Sequence, residues 1–159
     1  MNKKTTKKLL TNNGISLIEI IAVVAIGMLL VVVITSPLKE FRNRQILVSA
    51  TEQVSAVLNE ARSNTLVSKD KSSYGVHIES DKVILFTGTI YTESDIGNKE
   101  TFLNENVSIT SNPATDILFQ RLTGKTDQNG NIELSLTSSN GTIQGIITIE
   151  ETGLITISQ

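Results

Sequence analysis

The chain reads as three stretches of different hydrophobic rhythm. The first residues are polar and basic, with Lys3, Lys4, Lys7 and Lys8 ahead of Gly14. From Ile15 to Ile34 the side chains are almost all apolar, and one carboxylate, Glu19, interrupts them. After Pro37 the apolar positions fall at helical steps: Leu47, Ala50, Val54, Val57, Leu58 and Ala61 form a stripe on one face. Glu52, Gln53, Ser55, Asn59, Glu60 and Ser63 take the opposite face. From Tyr74 onward the period becomes two, the mark of half-buried strands.

These rhythms predict a helix from Ile15 to about Val67, on the order of 80 Å long if continuous. Pro37 should loosen or kink it, because proline lacks a backbone donor and clashes with the preceding turn. The polar run Ser68–Ser73 ends it. Strands are expected at Tyr74–Ile78, Lys82–Tyr91, Val107–Ser111, Ile117–Leu122, Ile132–Thr137, Thr142–Glu150 and Leu154–Ser158. Glu79-Ser80-Asp81, Asn129-Gly130, Ser139-Asn140-Gly141 and Glu151-Thr152-Gly153 supply the turns between them. Thr92–Asn106 reads as a loop, with at most a short strand at Thr101–Leu103. The fold class is α+β: a long N-terminal helix, transmembrane in its first half, packed on an antiparallel β-sheet head. The expected divisions are a leader at 1–14, a transmembrane helix at 15–36, its amphipathic continuation at 37–68 and a β head at 69–159.

Charge sets the topology. Four of the 14 basic residues lie in the leader, which has no acids, so the rest carries 10 − 16 = −6. About twenty apolar residues span a hydrocarbon core once, and lysines on the leader side keep that end in the cytoplasm. The expected location is therefore the cytoplasmic (inner) membrane, single-pass, with the head outside the cytoplasm. There is no Cys, which excludes disulfides and thiolate metal sites, and His77 is the one histidine. No Gly-x-Ser-x-Gly occurs, so a hydrolase has no support, and neither an enzyme nor a cofactor is expected. An acidic body is poorly matched to phosphate backbones, and no nucleic-acid partner is expected.

The segment Gly14-Ile15-Ser16-Leu17-Ile18-Glu19 carries the most information. A secretory signal would be cut after its apolar run, but here the glycine precedes the run and no small-x-small site follows Val33. With Glu19 five residues after Gly14, the arrangement resembles the class III leader and first turn of type IV pilins and pseudopilins. The resemblance implies that a prepilin peptidase cuts between Gly14 and Ile15 and methylates the new terminus at Ile15. It also implies that Glu19 pairs with the terminus of a neighbouring subunit and so sets the assembly register. One departure is that such families mostly begin the mature chain with Phe. Glu60-Ala61-Arg62-Ser63, Tyr74-Gly75-Val76, Phe119 and Gly153-Leu154-Ile155 narrow the resemblance to H-type minor pseudopilins and their FimT-like relatives. The partners implied are prepilin peptidase, other pilins or pseudopilins of the same filament, an inner-membrane assembly platform and the membrane.

Other residues were candidates for chemistry. Ser16 is placed to hydrogen-bond the first helical turn, and Gly27 with Ala22–Ala25 is small enough for close helix packing. Asp127, Asn129, Asn131 and Glu133 put oxygens at alternate positions, a weak calcium candidate, but a hairpin at Asn129-Gly130 already explains the run and no metal is expected. Arg62 should pair with an acid beneath the sheet or face solvent. His77, between Val76 and Ile78, should point outward into solvent. The function expected is a minor pilin or pseudopilin, a structural subunit initiating or capping a type II secretion or type IV pilus filament. The alternative is a DNA-binding minor pilin for natural transformation, against which stands the absence of Lys and Arg after Lys125.

Overall fold

The computed structural model describes residues 15–112, 114–138 and 141–158, excepting the side chains of 32–37. The chain divides into two compact units, Met1–Lys39 and Glu40–Gln159. Helix α1 is assigned over Leu17–Leu66. The leader at 1–14 lies outside the described residues.

In the first unit the side chains of Ile15–Val31 are all exposed. Among the described residues no helix is long and apolar enough to cross a membrane.

In the second unit the helical stripe predicted from spacing is buried. Leu47, Ala50, Val54, Val57, Leu58 and Ala61 join one core with residues from two sheets. The first sheet has the order β3-β2-β1-β5, and the second β4-β6-β7-β8. Their ranges are β1 (Tyr74–Ile78), β2 (Lys82–Thr87), β3 (Lys99–Phe102), β4 (Val107–Asn112), β5 (Asp116–Phe119), β6 (Gly130–Ser138), β7 (Gly141–Ile149) and β8 (Ile155–Ser158). All neighbours are antiparallel. Tyr74, Val76, Val83, Leu85, Ile117 and Phe119 fill the core from the first sheet. Val107, Ile109, Ile132, Leu134, Leu136, Ile147 and Ile149 fill it from the second.

The single expected sheet is therefore two. The chain passes between the sheets after β3, after β4 and again after β5, where Leu122 (φ 67°) and Gly124 (φ 63°) turn it and Gln120 N–H bonds the Lys125 carbonyl at 2.7 Å. Strand β5 ends at Phe119 rather than Leu122, and Asn129-Gly130 opens β6 without joining two paired strands. Strand β2 ends at Thr87 rather than Tyr91, because Gly88 (φ 111°) turns away with its N–H on the Ser73 carbonyl. The hairpins at Glu79–Asp81 and Glu151–Gly153 form as predicted.

Side chains alternate across a strand. Val83 and Leu85 enter the shared core, so Ile84 and Phe86 face the other way, yet both are buried. A second, smaller core covers them. The Phe86 ring lies where Gly75 has no side chain: a Cβ at 75 would sit 2.4 Å from Phe86 Cζ. Tyr91 meets Phe86 edge-on, with centroids 5.7 Å apart. The segment after β2 thus folds back over the outer face of the first sheet.

Leu58 is fully buried. Leu58→Ala in the unit Glu40–Gln159 should lower unfolding stability by about 2–5 kcal/mol in a urea titration. Gly75→Ala should cost about 1–3 kcal/mol by crowding Phe86. Midpoints equal to the parent's would mean that neither core is packed as described.

Candidate assembly surfaces

The apolar helix begins with backbone geometry rather than a side-chain cap. The Ser16 carbonyl accepts from Glu19 N–H at 3.0 Å and from Ile20 N–H at 3.3 Å. Ser16 therefore supports the first turn, as the sequence suggested, through its backbone. Glu19 stands among Ile15, Ile20, Val23 and Val24, which line an open groove of about 240 Å³ with it. No cation within the first unit's described residues pairs with this carboxylate. A carboxylate on an apolar helix is costly to leave in lipid unpaired. Gly14 lies outside the described residues. Gly27 has nothing within 4 Å of where a Cβ would be, so its surface is open to a neighbouring helix.

The oxygen-bearing run does not gather around a point. The Asp127 carboxylate accepts from Gln120 Nε2 at 3.1 Å and 3.2 Å, and Asn131 Oδ1 accepts from Thr148 Oγ1 at 3.1 Å. Asn129 precedes β6, while Asn131 and Glu133 stand on its exposed face. Extended backbone sets such positions about 6.6 Å apart. Among the described residues no group of three His, Asp or Glu forms a metal-binding cluster.

Arg62 does neither of the things expected of it. Its Nη2 donates to the Thr152 carbonyl at 3.4 Å, and its Nε is buried without a hydrogen-bond partner. The guanidinium lies against the turn between β7 and β8. Only glycine fits there at 153: φ is 76°, and a Cβ would meet the Gly124 carbonyl oxygen at 1.9 Å and Arg62 Nε at 2.9 Å.

His77 is not solvated. It stacks flat on Tyr91 at 3.9 Å and 8°, and its Nδ1 bonds the Asp116 carboxylate from the neighbouring strand β5. Nε2 lies 3.8 Å from Glu79. Lys82 bridges Glu100 at 2.8 Å and Glu79 at 3.7 Å. The outer face of the first sheet thus carries an ordered ion network that clamps the loop after β2. The Glu100 hydrogen bond holds the Lys82 ammonium above its ordinary pKa, despite an opposing desolvation. Desolvation pushes the Tyr91 hydroxyl up, and the charges of Glu79 and Glu93 push the same way. No local pattern marks these partners; Asp116 lies 39 residues from His77.

The loop also presents apolar side chains outward. Ile96 is fully exposed, Ile90 is 79% exposed and Phe102 63%. Glu93 and Asp95 lie between the two isoleucines. The far end of α1 has a second apolar cluster, Leu66, Val67 and Leu122, all exposed. Leu122 N–H bonds the Thr65 carbonyl at 3.3 Å, and Arg121 Nε donates to Ser68 Oγ. Arg121 is thus brought to the same end of the head as Lys69 and Lys71, which follow Ser68 in the chain.

The fold is the α+β fold of pilins. It is similar to the type IV minor pilin FimU of Pseudomonas aeruginosa (TM-score 0.54, 14% identity, 71% of this chain and 93% of that one). A second crystal form of FimU gives TM-score 0.54 at 14% identity, covering 75% and 92%. The minor pseudopilin EpsH of the Vibrio cholerae type 2 secretion system gives TM-score 0.49 at 14% identity, covering 70% and 95%. No protein-family model and no curated protein matches the sequence.

Tyr74 offers a pH test of the helix-to-sheet junction. Burial raises its hydroxyl pKa above the ordinary 10.0, and the 2.9 Å bond to Asp70 adds to that rise. A raised folded-state pKa stabilises below the unfolded value and is lost as pH climbs through the folded one. The unit Glu40–Gln159 should therefore lose stability above pH 10.0, and Tyr74→Phe should flatten that loss. Thermal melts of both proteins from about pH 9 to about pH 12 check this; parallel curves would contradict it.

Proposed function

We propose that the chain is a structural subunit of a pilin-type filament, a minor pilin or pseudopilin that initiates or caps assembly. One observation carries this reading: a pilin-type head continues a helix whose apolar residues and lone Glu19 have no cover within their own unit. Lipid before assembly and neighbouring helices after it would supply that cover. On this reading prepilin peptidase removes residues 1–14 and methylates Ile15. The positive terminus of one subunit then sits beside Glu19 of the next. Pairing two groups that are each costly in lipid selects one axial offset over others. The helix spans the cytoplasmic membrane once, with the head outside, and an inner-membrane platform and other pilins are the partners. The chain's work is assembly and force transmission, not catalysis.

Natural transformation is the second reading, favoured by the convergence of Lys69, Lys71 and Arg121 at one end of the head. Asp70 lies in the same segment, and Glu150 and Glu151 lie near Lys125, since Thr126 N–H bonds the Glu151 carbonyl. Three cations beside acids are a small footprint for duplex binding, which needs clustered Lys and Arg. The filament reading therefore stands first.

Glu19→Leu makes the helix more apolar and should leave membrane insertion and processing intact. It should strongly reduce crosslinking of the full-length protein to other filament subunits in membranes. Undiminished crosslinking of the variant would reject a pairing role for Glu19.

A further inference from the structure

The head carries two exposed apolar clusters with opposite rims. The first lies on the loop after β2 and on β3: Ile90, Ile96 and Phe102, with Glu93, Asp95 and Glu100. Its base is fixed. Tyr91 is stacked on His77, Asn98 Nδ2 donates to the Thr92 carbonyl at 2.9 Å, and Asp95 Oδ1 accepts from Gly97 N–H at 2.8 Å. Among the described residues, Glu93 and Asp95 are in no ion pair. Ile96 touches solvent all round and Ile90 nearly so, while the Phe102 ring lies 5.7 Å from Lys82 Nζ on one side. A fixed loop that holds isoleucines in water is a contact surface waiting for a partner.

The second cluster is Leu66, Val67 and Leu122, rimmed by Lys69, Lys71 and Arg121. None of these three cations is in an ion pair among the described residues. Asp70, the acid among them, is engaged by the Tyr74 hydroxyl. The first cluster thus has Glu93 and Asp95 outside any ion pair among the described residues, Glu100 being held by Lys82, and the second has Lys69, Lys71 and Arg121.

We infer that the acid-rimmed loop of one copy docks on the basic-rimmed helix end of a second copy. The contact joins two different patches, so it is head-to-tail and propagates unless the rotation closes a ring. Opposed rims set partner and register more than raw affinity. Two such small patches fall below the area of a stable dimer, so the contact is weak in solution. It becomes effective when another element holds the copies at millimolar effective concentration. The inference does not depend on Gly14 or Glu19, and its failure would leave the filament reading standing.

The whole of the main core lies within Glu40–Gln159, so that unit folds by itself and serves as the test protein. Sedimentation at concentrations up to about 1 mM should show reversible association that weakens as salt rises from about 0.05 to about 0.5 M. Two charge-reversed variants decide the matter. Glu93→Lys with Asp95→Lys should be monomeric, and so should Lys69→Glu with Lys71→Glu. Mixed together they should associate again, because each then finds a complementary rim on the other. Ile96→Ser should abolish association without changing the melting temperature. The inference is overturned if the parent stays monomeric throughout, if either reversed variant associates like the parent, or if the mixture fails to associate. It is also overturned if the parent binds a 30-base-pair duplex or anionic phosphatidylglycerol vesicles and the Lys69/Lys71 variant alone loses that binding, since the basic rim then serves a phosphate surface.

Discussion

One helix must satisfy two environments, and the rest of the structure follows from that. In its second half α1 buries a stripe from Leu47 to Ala61 that belongs to a core shared by both sheets. Neither sheet alone could cover that stripe, and four-stranded sheets with one apolar face need a partner layer. The helix comes very close to β7: a Cβ at Gly145 would lie 2.7 Å from Thr51 Oγ1. Thr51 tolerates full burial because its hydroxyl bonds the Leu47 carbonyl one turn back at 2.9 Å. From Leu17 to Val31 the same helix offers only apolar residues and Glu19, all of them exposed. On the proposed reading, lipid or neighbouring helices cover that surface.

The parts of this design that depend on local periodicity were legible in the sequence. The stripe Leu47–Ala61 was buried as its spacing required, and the strands beginning at Tyr74, Lys82 and Val107 lie where alternation put them, the last strand starting at Ile155, one residue later than expected. What alternation cannot report is which strand pairs with which. A period of two looks the same in one sheet as in two, so the crossings after β3, β4 and β5 were invisible. At the last of them the chain turns through two positive-φ residues, Leu122 and Gly124, of which only the glycine carries a signal. Asn129-Gly130 misled for the same reason: the dipeptide favours a tight turn, but here it follows a loop that has already changed sheets.

Side-chain chemistry was legible only where it was local. Ser16 and Glu19 sit in one helical turn, where the Ser16 carbonyl accepts from Glu19 N–H, a contact that spacing alone implies. His77 could not. Its neighbours in sequence say that it points away from the main core, which is correct, and solvent was the natural inference. Burial came instead from Tyr91, Asp116 and Glu79, supplied by a loop, another strand and a turn. Arg62 likewise took a backbone carbonyl 90 residues away rather than an acid. The outer face of the first sheet thus became a second layer, with a loop as its cover.

The central claim is that the apolar helix is a filament and membrane element released from a leader at Gly14. Intact-mass measurement of the protein extracted from membranes tests it most directly. The account predicts one species that begins at Ile15 and carries one added methyl group on its terminus. A species beginning beyond Val33, or a full-length chain that still carries residues 1–14, would contradict it.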